Sequence, residues 1–233
     1  MDNSIFLPDI PLSDFETTQN YAYLRLRNAL MVGAISPGIA ITIQDISESL
    51  EVSATPVREA LRQLCSENAL QSLKNRRIMV PVMTPARLEE LISLRCALEM
   101  YAAKRALPYI NNMEIDNLER IDNQLDQAQS EENWSEMVLL NQRFHSGLYV
   151  ANPNQVVMPM IESIWLQLGP FMGVAAKYQQ EFYIVDHHKE AIAALRQNDP
   201  VILESAIEAD IRDGVGQLNP EKLQSILLER QTK

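Results

Sequence analysis

The run Ser53-Ala54-Thr55-Pro56-Val57-Arg58-Glu59-Ala60-Leu61-Arg62-Gln63-Leu64 decides the fold. Thr55 is placed to cap a helix, and Pro56 suits its first position, where the missing N–H costs nothing. Val57, Ala60, Leu61 and Leu64 then share one face, while Arg58 and Arg62, four apart, share another. Such a helix buries one side and offers two guanidinium groups to a polyanion. A first helix belongs just upstream. Thr42 caps it, Asp45 stands three residues on, and Ile43, Ile46 and Leu50 supply its apolar stripe. Glu51-Val52-Ser53 is short enough to fix the two helices at an angle. Downstream, Leu70–Leu73 and Ile78–Val82 read as two strands around the polar turn Lys74-Asn75-Arg76-Arg77. Ile78, Val80 and Val82 alternate onto one buried face. Two helices followed by a basic β-hairpin make a winged helix-turn-helix, and cations at the hairpin tip are placed to meet phosphate.

The same run resembles the signature of the GntR family of bacterial transcription regulators, where Ser-Arg-Thr-Pro-Val-Arg-Glu-Ala-Leu is usual. Gly33-Ala34-Ile35-Ser36-Pro37-Gly38 resembles the family's Gly-x-x-x-Pro-Gly turn after its first helix. The resemblance implies a DNA-binding domain over residues 20–82. It turns Gln44, Ser53, Thr55 and Arg58 toward DNA, with Asn75 and Arg76 on the wing; Arg62 and Lys74 are the neighbouring cations. A pair of helix arginines alone is a solvated face; the cap, the helix before and the wing after turn the reading toward DNA. Two positions depart from the pattern. Ala54 stands where the family usually has a base-reading Arg, and Arg77 sits near the usual wing-tip glycine. The first change removes a bidentate donor for guanine, so the operator is expected to differ from the family's common one.

Net charge sharpens the division. The whole chain carries −11, which does not suit a DNA binder. Residues 20–82, however, hold seven Lys/Arg against five Asp/Glu, whereas residues 83–233 hold 13 against 22. The acidic part is repelled by DNA and belongs away from it. Residues 1–19 read as an acidic tail. No apolar run reaches membrane-spanning length and no secretory signal is visible, so a cytoplasmic protein is expected, with Cys65 and Cys96 as free thiols.

After Pro85 the pattern is helical. Candidates span about 85–106, 113–130, 133–151, 155–177, 185–198, 200–216 and 221–231, separated by Pro108, Asn152-Pro153-Asn154, Glu181 to Val185, Asn198-Asp199-Pro200 and Asn219-Pro220. Pro170 should kink or split its helix. Residues 111–136 are polar and acidic, as in a solvated outer helix. The fold class is therefore mainly α. An N-terminal winged helix-turn-helix with a small β-hairpin wing precedes a C-terminal antiparallel helical bundle over 83–216, with residues 217–233 as a C-terminal helix or tail.

The bundle resembles the FCD ligand-binding domain of the FadR-like branch of the same family. Arg95-Cys96-Ala97-Leu98-Glu99 resembles its Arg-x-x-Leu-Glu helix, and Asn141-Gln142-Arg143-Phe144-His145 its Asp-x-x-Phe-His motif. His188 and Asp210 lie 22 apart, where two His ligands are common. The resemblance implies a divalent metal at Asn141, His145, His188 and Asp210, beside a pocket for a small acid. Spacing alone puts Asn141 and His145 on one helix face, points His188 inward with Ile192 and Leu195, and turns His187 about 100° away. Two imidazoles, one carboxylate and one amide oxygen suit Zn²⁺, Ni²⁺ or Mn²⁺. Without metal they form a polar pocket in which His145 pairs with Asp210. Arg95, a cation on an apolar helix, either pairs with Glu99 or clamps a carboxylate effector. Tyr101, Trp165, Gln167, Phe171 and Tyr178 are candidate lining residues. The expected protein is a homodimeric regulator of a palindromic double-stranded DNA operator, responsive to a small organic acid. A metal-dependent enzyme built on His145, His188 and Asp210 is the rival, but no general base or nucleophile accompanies them. An acyl-thioester sensor would need an apolar interior that these residues deny.

Overall fold

The computed structural model describes residues 7, 17–74, 77–154, 156–177 and 187–214, with the single positions 221 and 225. The chain divides into two compact units. One comprises Met1–Met83 with Trp165–Gly173; the other comprises Thr84–Ile164 with Val174–Lys233. No helix among the described residues is long and apolar enough to cross a membrane.

The first unit begins with α1 (Thr18–Met31), whose N-terminus is capped by the Thr17 hydroxyl accepting from Asn20 N. A two-residue strand β1 (Ala40–Ile41) leads into α2 (Ile43–Leu50), which Thr42 caps by accepting from Asp45 N. The reading helix α3 covers Ala54–Ser66. Its N-cap residue is Ser53, not Thr55, and makes no side-chain cap bond; Thr55 and Pro56 sit inside the first turn. The proline is still free of cost there, because the first four helical N–H groups have no partner within the helix. Glu51, in the left-handed region at φ 54°, makes the turn between α2 and α3.

Strands β2 (Gln71–Ser72) and β3 (Ile78–Met79) form the wing, closed by Leu73 N donating to Arg77 O. The sheet is antiparallel in the order β1-β3-β2, so the hairpin gains a third strand that sequence periodicity did not reveal. Val80 is buried as expected. Ile78 is half-buried and Val82 exposed, so the alternation does not extend to the end of the strand. The core of this unit is apolar: Leu26, Leu30, Ile46, Val57, Leu61, Leu64 and Leu70 pack together, joined by Leu166.

The second unit contains α4 (Pro85–Ala106), α5 (Asn112–Ser130), α6 (Trp134–Tyr149), α8 (His188–Gln197) and α9 (Pro200–Gly214); between α6 and α8 runs α7 (Met158–Lys177). Thr84 caps α4, and Asn111 with Glu114 forms a reciprocal capping box on α5. Helix α4 packs on α9, α9 on α8, α8 on α5, α5 on α6, and α6 back on α4. These five helices close a ring.

Pro170 lies inside α7 without splitting it. The α7 segment Trp165–Gly173, which belongs to the first unit, is held by a contact only glycines allow. A Cβ on Gly169 would stand 2.3 Å from Leu30 O, and one on Gly173 2.4 Å from Gly33 Cα. Gly33 itself sits at φ 68° and would meet Gly173 Cα at 2.3 Å. The predicted helix at 221–231, apart from positions 221 and 225, and the predicted break at 181–185 lie outside the described residues.

Candidate functional site

Two sites emerge, one in each unit. In the first, the polar face of α3 is open. Ser53, Thr55, Arg58 and Arg62 are exposed, as is Gln44 at the start of α2, while Val57, Ala60, Leu61 and Leu64 hold the opposite face in the core. Arg62 is tethered along the helix to Glu59 at 3.1 Å. Arg58 has no ion-pair partner among the described residues. Gln44 donates to Glu48. Lys74 is exposed at the wing turn; Asn75 and Arg76 lie outside the described residues.

The second site lies within the five-helix ring, and each helix contributes to it. Helix α4 supplies Arg95 and Glu99, α5 Asp122, α6 His145 and Tyr149, α8 His188, and α9 Asp210. All seven side chains are buried. Arg95 Nε donates to Glu99 Oε1 at 2.7 Å, so the pairing alternative for Arg95 is the one formed. Burial alone would lower the Arg95 pKa; the Glu99 carboxylate raises it on balance. The Tyr149 hydroxyl donates to Glu99 Oε2 at 3.0 Å and lies 2.9 Å from His145 Nδ1. Burial first, and then Glu99, push the Tyr149 pKa well up, so it stays protonated. His188 Nδ1 lies 3.0 Å from Asp122 Oδ1, and the ring stacks on Phe144 at 3.9 Å between centroids.

These contacts fix the imidazole tautomers. Tyr149 has one proton and gives it to Glu99, so its oxygen accepts from His145 Nδ1–H. Asp122, a carboxylate, accepts from His188 Nδ1–H. Both rings therefore turn Nε2 toward Asp210: His145 Nε2 is 2.9 Å from Oδ2 and His188 Nε2 3.6 Å from Oδ1. Three ligand atoms, one from each residue, lie within 4.8 Å of one another. A neutral imidazole protonated on Nδ1 carries its lone pair on Nε2. Two lone pairs facing a carboxylate repel unless a cation stands among them, either a proton on an imidazole or a metal ion. Outer partners that set tautomer and ring orientation are what metal-binding histidines commonly have. The donor set, two imidazoles and one carboxylate, fits a transition-metal ion. Asp210 itself is held well below the usual carboxylate range. Burial alone would raise its pKa; with the imidazoles protonated, the His145 Nε2–H bond, the charge of both rings and the His187 backbone N–H outweigh burial.

Of the residues that sequence reasoning proposed as one site, the structure brings His145, His188 and Asp210 together. Asn141 lies half-buried one turn before His145. Sequence reasoning missed Asp122, whose segment read as a solvated outer helix, although Ile115, Leu118, Asp122 and Leu125 trace one apolar stripe with the acid in its middle. It missed Tyr149 too, one turn after His145. His187 is not simply turned to solvent. As N-cap of α8 it is half-buried, donating its backbone N–H to Asp210 at 2.9 Å and pairing its ring with Asp213. Of the candidate lining residues, Tyr101 is on the surface, Trp165, Gln167 and Phe171 fall in the first unit, and Tyr178 lies outside the described residues.

Known proteins bear on both sites. Residues 18–80 match the family described as bacterial regulatory proteins, gntR family, and residues 90–213 match the FCD domain. The chain is 30% identical over 177 residues to the HTH-type transcriptional regulator McbR of Escherichia coli, covering 75% of this chain and 80% of that protein. It is 25% identical over 212 residues to the gluconate operon transcriptional repressor of Bacillus subtilis, covering 87% and 85%. The solved structure of E. coli McbR superposes with a TM-score of 0.75 at 24% identity over 93% of this chain and 100% of that one. A GntR transcriptional regulator from Rhodococcus superposes at 0.69 with 20% identity, over 89% and 97%.

Proposed function

The chain belongs to the GntR family of bacterial transcription regulators, with an FCD domain as its effector-binding part, and on that premise we propose that it binds a palindromic operator as a homodimer and answers to a small organic acid. The observation that carries this is the buried convergence of His145, His188 and Asp210 inside the five-helix ring. One copy of α3 reads a few base pairs. Two copies double the phosphate contacts and match a two-fold operator. Arg58 and Gln44 reach base edges, Ser53 and Thr55 the backbone beside them, and Arg62, Lys74, Asn75 and Arg76 act through phosphate.

In the bundle His145, His188 and Asp210 would hold a divalent ion such as Zn²⁺, Ni²⁺ or Mn²⁺, with Asn141 as a neutral fourth donor. When bound, the ion supplies a Lewis-acidic centre that a carboxylate effector can join. The protein's part is positional. Tyr149 and Asp122 hold the two imidazoles in their ligating tautomers, and Glu99 anchors Tyr149. Arg95 meets an effector only through the edge of its guanidinium that Glu99 leaves open. An acid that binds one arrangement of the paired readers more tightly shifts operator affinity by that difference.

The test is metal content by mass spectrometry, together with operator titration by mobility shift. His188→Ala should remove the metal and raise sensitivity to unfolding, because an ion bound only by the folded chain adds to its stability. His187→Ala should leave the metal nearly intact. Asn141→Asp should tighten it. Purified protein that holds no metal, and whose melting temperature chelator and added Zn²⁺, Ni²⁺ or Mn²⁺ leave unchanged, would leave a plain polar pocket and rule the ion out.

A further inference from the structure

The entry to α3 offers DNA two hydroxyls and, between them, a methyl. Ser53, Ala54 and Thr55 are all exposed, and Ala54 is the first residue of the helix. First-turn residues of a recognition helix are the ones that come nearest the base edges. A methyl has nothing to give to N7 or O6 of guanine, and it covers those acceptors without pairing them, which weakens binding. Among the groups on the major-groove edges, the one it complements is the C5 methyl of thymine. Being short, it also lets the end of the helix come close to that group.

Helix α2 places an acid beside a residue turned toward DNA. Glu48 is exposed, one turn after Gln44, and accepts from Gln44 Nε2 at 2.8 Å. Its charge alone repels a polyanion. Its hydrogen bond, however, sets the amide. A carboxylate only accepts, so the NH2 group of Gln44 must face Glu48. One N–H is spent there; the second N–H and Oε1 remain side by side. A donor beside an acceptor complements adenine, whose N7 accepts and whose N6 donates. An amide that turns freely must give up that freedom on binding, and Glu48 has already removed it. The glutamate thus gives up some affinity for DNA in general and favours one base in particular.

We propose that the reader selects A·T pairs at two positions of each half-site: Ala54 packs on the C5 methyl of a thymine, and Gln44, positioned by Glu48, takes the N6–N7 edge of an adenine. The inference rests on the operator reading above and names its bases. The test is selection of bound duplexes from a random library by the full chain, followed by mobility-shift titration of the enriched site. Wild type should enrich inverted half-sites that each hold a thymine and an adenine at fixed positions. Ala54→Arg should turn that thymine position to guanine, which identifies it. Uracil there removes only the methyl and should weaken wild-type binding about fourfold per half-site. Ala54→Gly should bind the thymine and uracil duplexes alike. Gln44→Ala should lower the preference for adenine over guanine roughly fivefold or more. Glu48→Ala should lower the same preference while binding of unselected DNA holds or rises; a merely structural glutamate would weaken both. Absence of any enriched inverted repeat overturns the operator reading and this assignment with it. An inverted repeat in which Ala54→Arg alters no thymine position, or in which Ala54→Gly keeps the uracil penalty, keeps the operator and overturns the methyl contact. An adenine preference indifferent to Glu48→Ala overturns the positioning role of that residue.

Discussion

The two units solve the problem of charge in opposite ways. Among described residues, the first buries one ionisable side chain, Arg25, which donates to Leu7 O, and its α3 cations lie on the surface. Its interior is an unbroken apolar cluster. The second buries Arg95, Glu99, Asp122, His145, His188 and Asp210 at its centre and places apolar residues of α4 on the outside. A reader of DNA needs its charge where a polyanion can meet it. A sensor of a small polar molecule needs its charge where water does not compete, since buried electrostatics are stronger and less screened. The difference shows what each unit risks. The first loses function when a surface charge is removed. The second loses its structure when a buried charge loses its partner.

Four changes test that contrast. The largest effect is expected from Glu99→Ala, which leaves Arg95 buried without its carboxylate and Tyr149 without its acceptor. Breaking a buried pair from one side costs about 3–5 kcal/mol, read as a lower urea midpoint. A cost no greater than that of a surface substitution would erase the distinction between the units. Next comes Leu61→Ala in the first unit, where the side chain is fully buried. There the loss of apolar contact and the cavity left behind should cost about 2–5 kcal/mol, read in the same urea titration.

Arg58→Ala should weaken operator binding by about 1–3 kcal/mol and leave the urea midpoint where it was. Arg62→Ala, already tied to Glu59, should do less in the same titration. Reversal of that order would mean the register of α3 on DNA differs from the one argued above. The smallest effect concerns Tyr23, whose hydroxyl donates to Glu67. Burial first, and Glu67 second, push its pKa up to about 12 from 10.0. The folded chain thus favours the neutral phenol, so this contribution is full below pH 10 and lost as pH rises toward 12. Tyr23→Phe should flatten the melting temperature across that window. An unchanged slope would place the alkaline sensitivity elsewhere.

Much of this organisation could be read from local pattern. α3 was legible because its apolar period, its cations and its hydroxyl-rich entry lie within twelve residues. Its cap was misplaced by two positions because Ser53 and Thr55 offer the same chemistry, and backbone geometry alone separates them. β1 was invisible because two residues cannot show an alternation. In the bundle, His145 and His188 were legible from helical faces, whereas their meeting with Asp210 came only with the family resemblance. Asp122 was lost because composition drowned periodicity: an acidic segment was judged by its average rather than by its one apolar stripe. Glu99 was visible as a neighbour of Arg95 at a spacing of four, Tyr149 was passed over, and the chain of hydrogen bonds joining both to His145 needed coordinates.

The glycine contact among Gly33, Gly169 and Gly173 also bears on the order in which the chain matures. Gly33 and Gly173 are 140 residues apart in sequence, yet they belong to one compact unit whose core includes Leu166. During synthesis at about 5–20 residues per second, the reader, ending at Met83, emerges roughly 4–18 s before the segment Trp165–Gly173 that completes it. Through that interval the turn at Gly33 lacks the helix that packs on it, and a long loop must close before the contact forms. The DNA-binding unit is thus the first to be made, but it is finished only once α7 has left the ribosome. A nascent chain cut short before Trp165 presents the recognition helix without its complete support.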